Sequence, residues 1–503
     1  MKTKIQIYII TFILTSLQFA RAQSSISPNI FNVKQYGAVG DGKHLDSKAI
    51  NKAIDAAANK GGGTVFIPAG NYLSGSIRLK SNISLFIDQG ATIIAAEVNA
   101  QNDYDEEENT VNTTYQDSGH SHFHNSLIWG EDLHDVSIVG QGLIWGKGLY
   151  HDYVKGKQTA NKAIAFYKCY NVNIADISIL HGGWFGILAT GVDNLTIRNI
   201  KEDTNRDGMD IDCCRNVHVS DCSVNSPNDD GICLKSTFAL GFARATENVT
   251  ITNCGVSGFN EGSFLDGTYK RSDDPNHSPT GRIKLGTESN GGFKNITISN
   301  CTFNYCRGLA LETVDGGLLE DVTITNITMR DITNAPIFLR LGSRMRGPSD
   351  AAIGELRRVI ISNVVAYNVR DAVLISGIKD HDIKDIELKN IKLYFKGGGT
   401  AGQTAREIPE LEAGYPEPDT FGILPAYGIY ARHVNGLILE DISLEYINND
   451  MRLAIVFDQV KNADLRFVKI HTGTDIPGLR VKDTQNIYLF HSLNTLDGEV
   501  KSN

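Results

Sequence analysis

The densest group of reactive side chains lies at 205–235, NRDGMDIDCCRNVHVSDCSVNSPNDDGICLK. Asp207, Asp210 and Asp212 crowd one short segment, and Asp229 and Asp230 follow, with 22 residues separating Asp207 from Asp229. If that interval is one turn of a repeating coil, the two groups meet, because stacked strands lie about 4.8 Å apart. Three carboxylates in so small a volume repel, so at least one must keep its proton to a higher pH than usual. A carboxylic acid beside a carboxylate is what glycosidic hydrolysis needs: one protonates the leaving oxygen and the other activates water. A calcium site or a solvated acidic turn would draw on the same residues.

The chain does repeat at that interval. Segments beginning at Asn171, Asn194, Asn216, Asn248, Asn295 and Asp321 share one pattern (NVNI, NLTI, NVHV, NVTI, NITI, DVTI), and later cousins begin at Arg358, Asp385 and Asp464. The first steps are 23 and 22 residues, and later ones are 32, 47 and 26. A constant core with variable insertions marks a solenoid, in which each coil buries its face only against its neighbours. Short alternating runs of Val, Ile, Leu and Thr, each ended by Asn, Asp or Gly, make the coils strands. The short step argues against a propeller, whose blades take about 40 residues. The expected fold is all-β: a single-stranded right-handed parallel β-helix, with a ladder of stacked Asn amides in or beside one turn. One helix is expected over 46–59, capped by Asp46 or Ser47, stopped by Gly62-Gly63, and covering the open end of the first coil. Insertions at 101–123, 240–247, 259–282 and 397–427 are expected to form loops on one face.

Length alone would suggest about three domains, but no composition break divides the repeat. Residues 23–503 therefore read as one domain. Residues 1–22 read as a signal peptide: Lys2 and Lys4, an apolar run to Phe19, then Ala20-Arg21-Ala22. Export to the periplasm or medium is the expectation. No later segment is long enough to span a membrane. Lys+Arg number 48 against Asp+Glu 58, a net charge of -10, which excludes a nucleic-acid binder but not an acidic ligand held by local cations. Eight cysteines include no C-x-x-C pair, so most are expected to be buried thiols, with room for one or two bridges and no thiolate zinc site.

From Phe31 to about Phe490 the chain resembles glycoside hydrolase family 28, the polygalacturonase-type pectin hydrolases. Asn205-Arg206-Asp207-Gly208-Met209-Asp210 is similar to that family's N-T-D-G-x-D motif, with Arg206 in place of Thr, and Asn228-Asp229-Asp230 to its [QGN]-D-D motif. The match continues through 232–236, and the Gly-rich 37–42 segment resembles the family's first coil. The resemblance implies Asp229 as general acid, Asp207 and Asp230 as holders and deprotonators of water, inversion, and no metal or cofactor. It implies a pectic polysaccharide or oligosaccharide as partner, with Asn205 and Lys235 facing it. Two motifs depart. Gly281 stands by register where the family has the His of G-H-G, and Ala310 and Glu312 stand where the cations of R-I-K belong. The string Arg282-Ile283-Lys284 falls one coil early; Arg282 and Lys284 are still expected near the groove, available to an acidic sugar, with Glu312 accepting sugar hydroxyls. A neighbouring sugar such as rhamnose becomes plausible.

Other candidates are weaker. His120, His122 and His124 would share one face of a strand, as a metal set or as groove lining, and His122 is taken as groove lining. Trp184, one coil before Asp207, offers a face for a sugar ring or for core packing. Arg340, Arg344 and Arg346 form a basic cluster or a solvated loop, and 415–418 and 424–427 look like a structured loop along the groove. The rival functions are a polysaccharide lyase on the same fold, with Arg282 as its base, and a non-catalytic β-helix carbohydrate-binding protein. Endo or exo action, the exact backbone and the oligomeric state are not set by these features.

Overall fold

The computed structural model describes residues 29–98, 104–108, 114–151, 161–473, 476–493 and 497–500. The expected signal peptide and part of the 101–123 insertion lie outside the described residues. The described strands form one hydrogen-bonded system wound as a right-handed parallel β-helix. A closing strand, Gly498–Val500, pairs antiparallel with Gln485–Phe490.

The repeat in the sequence is the coil of the fold. Tyr170 pairs with Asp193, Asp193 with Arg215, Arg215 with Glu247, Glu247 with Lys294, and Lys294 with Glu320, so each interval read from the sequence is one turn. The Asn at each turn has φ near +55°, from 55° at Asn216 and Asn295 to 58° at Asn248. Asn tolerates this left-handed region better than most residues. Its amide donates to the Asn one coil below: Asn194 to Asn171 (2.9 Å), Asn216 to Asn194 (3.2 Å), Asn248 to Asn216 (3.2 Å) and Asn295 to Asn248 (2.8 Å). A second exposed ladder runs Asp221, Asn253, Asn300, Asn326, Asn363, Asn390.

One helix, α1 (Ser47–Asn59), sits on the first coil and buries Ile50, Ala53, Ile54 and Ala57. Asp46 occupies its N-cap position, but its carboxylate turns back to accept from the N–H groups of Val39 (2.7 Å) and Gly40 (3.0 Å). The capping residue thus ties the helix to the Gly-rich turn before it.

The strands that carry the site share one sheet. In chain order they are β1 (Lys162–Tyr167), β2 (Phe185–Thr190), β3 (Asp207–Asp212), β4 (Ile232–Ser236), β5 (Ile283–Ser289), β6 (Leu309–Thr313) and β7 (Ile337–Leu341). Ile187, Met209, Ile211, Ile232, Leu234, Ile283, Leu285 and Leu311 point inward and are fully buried. Each contributes about 1.5–3 kcal/mol of burial. The register then places Leu188, Asp210, Cys233, Lys284 and Ala310 in one outward row. All eight cysteines are free and buried, so no bridge forms. No helix among the described residues is long and apolar enough to cross a membrane.

Candidate active site

Asp207 opens β3, and Asp210 and Asp212 leave its outer face, alternating with the buried Met209 and Ile211. Asp229 and Asp230 lie in the turn that enters β4. Met209 pairs with Ile232, a local step of 23 residues, so Asp230 rather than Asp229 stands over Asp207. The Asp230 carbonyl accepts the Gly208 N–H at 3.0 Å. Asp229, one residue earlier, leans over the pair. One carboxylate oxygen from each of Asp207, Asp229 and Asp230 lies within 4.8 Å of the other two.

The three carboxyls sit in three different environments. Asp207 is buried, and burial, then the charges of Asp210 and Asp229, push it well above the usual carboxylate range against the pull of Lys235. Asp230 is equally buried, but Lys284, Arg282 and Lys235 outweigh the desolvation and hold it below that range. Arg282 Nε donates to Asp230 Oδ1 at 2.7 Å, and Lys284 Nζ lies 3.2 Å from Oδ2. Asp229 faces the groove, accepting from Arg206 at 2.8 Å through one oxygen and from the Asp230 N–H at 3.0 Å through the other. Carboxyls forced apart in this way are the mark of divided acid and base duties.

A second ring of ion pairs fixes this arrangement. Glu417, from the loop at 397–425, binds both terminal nitrogens of Arg282 and lies 3.1 Å from Arg307. Glu312 lies 3.6 Å from Lys284, and burial pushes its carboxyl up to about 7 although Lys284 and Arg282 pull it down. Lys235 sits between Glu288 (3.2 Å) and Asp210 (3.8 Å), and His120 Nε2 lies 2.8 Å from Asp210 Oδ2. Arg282 and Lys284 therefore flank the carboxylates as expected, but their first partners are Asp230, Glu417 and Glu312. The 415–418 loop was expected along the groove, but the pairing of its Glu417 with Arg282, 135 residues away in sequence, was not foreseen. Glu288 was missed too, although its place on β5, the strand that also carries Lys284, was a usable signal.

The remaining candidates scatter. Asn205 is partly exposed, and its carbonyl accepts the Asn228 N–H at 3.1 Å. The three histidines do not share a strand face, because 118–121 winds as a 3-10 turn. His120 goes to Asp210, His122 Nδ1 lies 3.2 Å from the Glu108 carbonyl oxygen, and His124 lies 2.7 Å from Glu131, so the metal set does not form. Trp184 is half-buried; its ring lies parallel to Phe185 (5.7 Å), with the Arg206 guanidinium 4.9 Å from its centroid. Arg340 is a buried strut to Ser376 and the Glu410 and Leu411 carbonyls, Arg344 binds Asp315, and Arg346 binds Asp117 and Glu288. Tyr427 points into the core, whereas Tyr415 meets Thr287 at 3.2 Å.

Asp207, Asp229 and Asp230 are also the one set of three converging metal-ligating groups among the described residues. Arg206, Arg282 and Lys284 already neutralise them, which disfavours a cation there.

Loops bound the groove on three sides. The segment 114–124 crosses β1 and β2, with Phe123 stacked on Tyr167 at 4.2 Å and Gly119 against Phe185, where a Cβ would meet the ring at 2.7 Å. The 397–425 loop closes the opposite side through Glu417 and Tyr415. The 259–282 insertion borders the third, with Phe264 and Leu265 donating to Asp203 at 2.9 Å and Glu261 2.8 Å from His181.

Residues 30–270 match a family model described as rhamnogalacturonase A/epimerase, pectate lyase-like. A probable polygalacturonase from Vitis vinifera is 24% identical over 388 residues, covering 71% of this chain and 73% of the relative. The chain is polygalacturonase-like. Its fold is that of the exopolygalacturonase from Thermotoga maritima, with a TM-score of 0.61, 20% identity, and 74% and 88% of the two chains covered. The family 28 exopolygalacturonase from Yersinia enterocolitica aligns with a TM-score of 0.58 at 16% identity, covering 93% and 79%. In this chain the cations of the site lie on the carboxylates themselves: Arg206 on Asp229, and Arg282 and Lys284 on Asp230.

Proposed function

We propose that this protein is an exported, exo-acting, inverting hydrolase of galacturonate-containing pectic glycans. The observation that carries the reading is the convergence of Asp207, Asp229 and Asp230 from adjacent coils. Asp229 faces the groove and donates a proton to the leaving glycosidic oxygen. Asp207 and Asp230 hold a water and take its proton as its oxygen bonds to the anomeric carbon from the opposite face. The three carboxylates are closer than the gap of about 6.5–9.5 Å usual for inverting pairs. In this reading the water is therefore held to one side of Asp229, between Asp207 and Asp230, and not between two facing carboxyls.

Walls on three sides support attack at chain ends, as do the relatives whose printed names are exopolygalacturonases. Export rests on the leader pattern at 1–22. A lyase needs a base free to abstract a carbon-bound proton, and Arg282 is engaged by Asp230 and Glu417.

The test is product analysis on homogalacturonan and rhamnogalacturonan, with the wild type and Asp229→Asn, each with and without a chelator. The expected result is small saccharides from the first minutes, new reducing ends without unsaturated uronides, an inverted anomer in the first NMR spectra, and indifference to chelator. Asp229→Asn is expected to lose about 100- to 10,000-fold. Unsaturated products, or a fully active Asp229→Asn variant, would overturn the reading.

A further inference from the structure

The proposed acid, Asp229, poses a problem in the resting site. A carboxyl that must donate a proton is held by a guanidinium, which binds the carboxylate form. Arg206 Nη2 lies 2.8 Å from Asp229 Oδ2, and the Arg206 guanidinium lies 4.9 Å from the centre of the Trp184 ring. The contact is therefore a three-part assembly at the mouth of the trio: an aromatic face, a cation on it, and the proposed acid.

Arg206 differs from the other cations of the site. Among the described residues, four Lys and Arg side chains are ion-paired to Asp229, Asp230 or Asp210. The side chains of Arg282, Lys284 and Lys235 are 1%, 2% and 8% exposed, whereas that of Arg206 is 27% exposed. Three are structural counter-ions under the floor, and one opens toward whatever enters the groove. Its partner Asp229 is exposed to a similar degree, 28%, so a ligand reaches both.

We propose that Arg206 is a substrate-sensing residue: the carboxylate of an entering uronic acid takes its guanidinium from Asp229, and the released Asp229 then accepts the proton it must donate. The inference rests on the hydrolase reading above and adds to it a reason for substrate choice. In this proposal that proton comes from Asp207, which has an oxygen within 4.8 Å of Asp229 and is the carboxyl of the trio whose hold on a proton burial and neighbouring charge strengthen. Release of Asp229 lets that proton pass across: Asp207 becomes the carboxylate that helps Asp230 hold water, and Asp229 becomes the acid. No proton enters or leaves in this step. A neutral sugar has no group to draw Arg206 away, so the trio stays locked. The move also uncovers the Trp184 face for the sugar ring.

The measurement is the ratio of kcat/KM for a galacturonate oligosaccharide to that for the same oligosaccharide with its carboxyls reduced to alcohols. It is made on wild type, Arg206→Gln, Arg206→Lys and Asp229→Asn, with thermal melts to confirm folding. Wild type is expected to favour the charged substrate by about 10- to 100-fold, the range of a charge-assisted hydrogen bond. Arg206→Gln is expected to bring that ratio to within about 3-fold of unity, with Arg206→Lys between the two because it keeps the charge without the planar fork. An unchanged ratio in Arg206→Gln overturns the proposal, and so does an equal loss on both substrates, which would make Arg206 a support indifferent to substrate charge. Full activity in Asp229→Asn would instead sink the hydrolase reading beneath it.

Discussion

Asp207 and Asp230 occupy equivalent places in adjacent coils, yet their carboxyls are driven in opposite directions. Both are buried. The difference is that Arg282 and Lys284 touch Asp230, whereas the nearest strong influences on Asp207 are the like charges of Asp210 and Asp229. One coil of translation separates a carboxyl pushed above the usual carboxylate range from one held below it.

Asp207 therefore costs stability at neutral pH. A carboxyl whose folded value is raised binds more protons folded than unfolded, so stability falls as pH rises from the unfolded value of about 4 through the folded one. Asp207→Asn removes this burden. Denaturant melts across pH are expected to show the variant more stable than wild type at about pH 7 by roughly 1 kcal/mol or more, with the gain vanishing near about pH 4. The variant is expected to be inactive. A gain that does not change with pH would mean that Asp207 is ionised when folded.

Asp230 carries the opposite sign. Its folded value is depressed, so its stabilisation is present above the unfolded value of about 4 and is lost as pH falls through the folded value. Arg282→Gln removes one of its two contacting cations and leaves Glu417 with Arg307. Removing one member of a buried pair costs about 3–5 kcal/mol. That cost is expected at neutral pH and should shrink in acid, and the acidic limb of the kcat/KM profile should move to higher pH. An acidic limb in the wild-type position would show that Asp230 is not the group titrating there.

Away from the site, the Asn ladder is a stability element. Asn248 holds φ 58° at an exposed turn, donates to Asn216 and accepts from Asn295. Asn248→Ala loses two hydrogen bonds and keeps an unfavourable backbone conformation, at about 1–3 kcal/mol together. Asn248→Gly should lose less, because glycine adopts positive φ freely. Urea melts separate the terms: equal costs would assign the effect to the amides, and no cost in either would remove the ladder from the account.

The architecture was written in the local sequence. Alternating Ile, Val and Leu set the strands, the Asn or Asp at each turn set the left-handed corner, and the step between copies set the register, since a coil can bury its face only on the next. The same step brought Asp207 to Asp229 and Asp230, so the meeting of these carboxyls was legible from spacing, short of one residue in register, while their catalytic roles came from the family resemblance. What the sequence did not determine was the charge state of those candidates. That depends on contacts with no sequence proximity: Glu417 reaching Arg282 from a distant loop, His120 folding in to Asp210, and Arg282 and Lys284 turning to Asp230. Electrostatic energy inside a protein is set by distances of a few ångströms and by burial. Only the tertiary structure fixes either, so the sequence placed the carboxyls and the fold set the opposite directions in which Asp207 and Asp230 are driven.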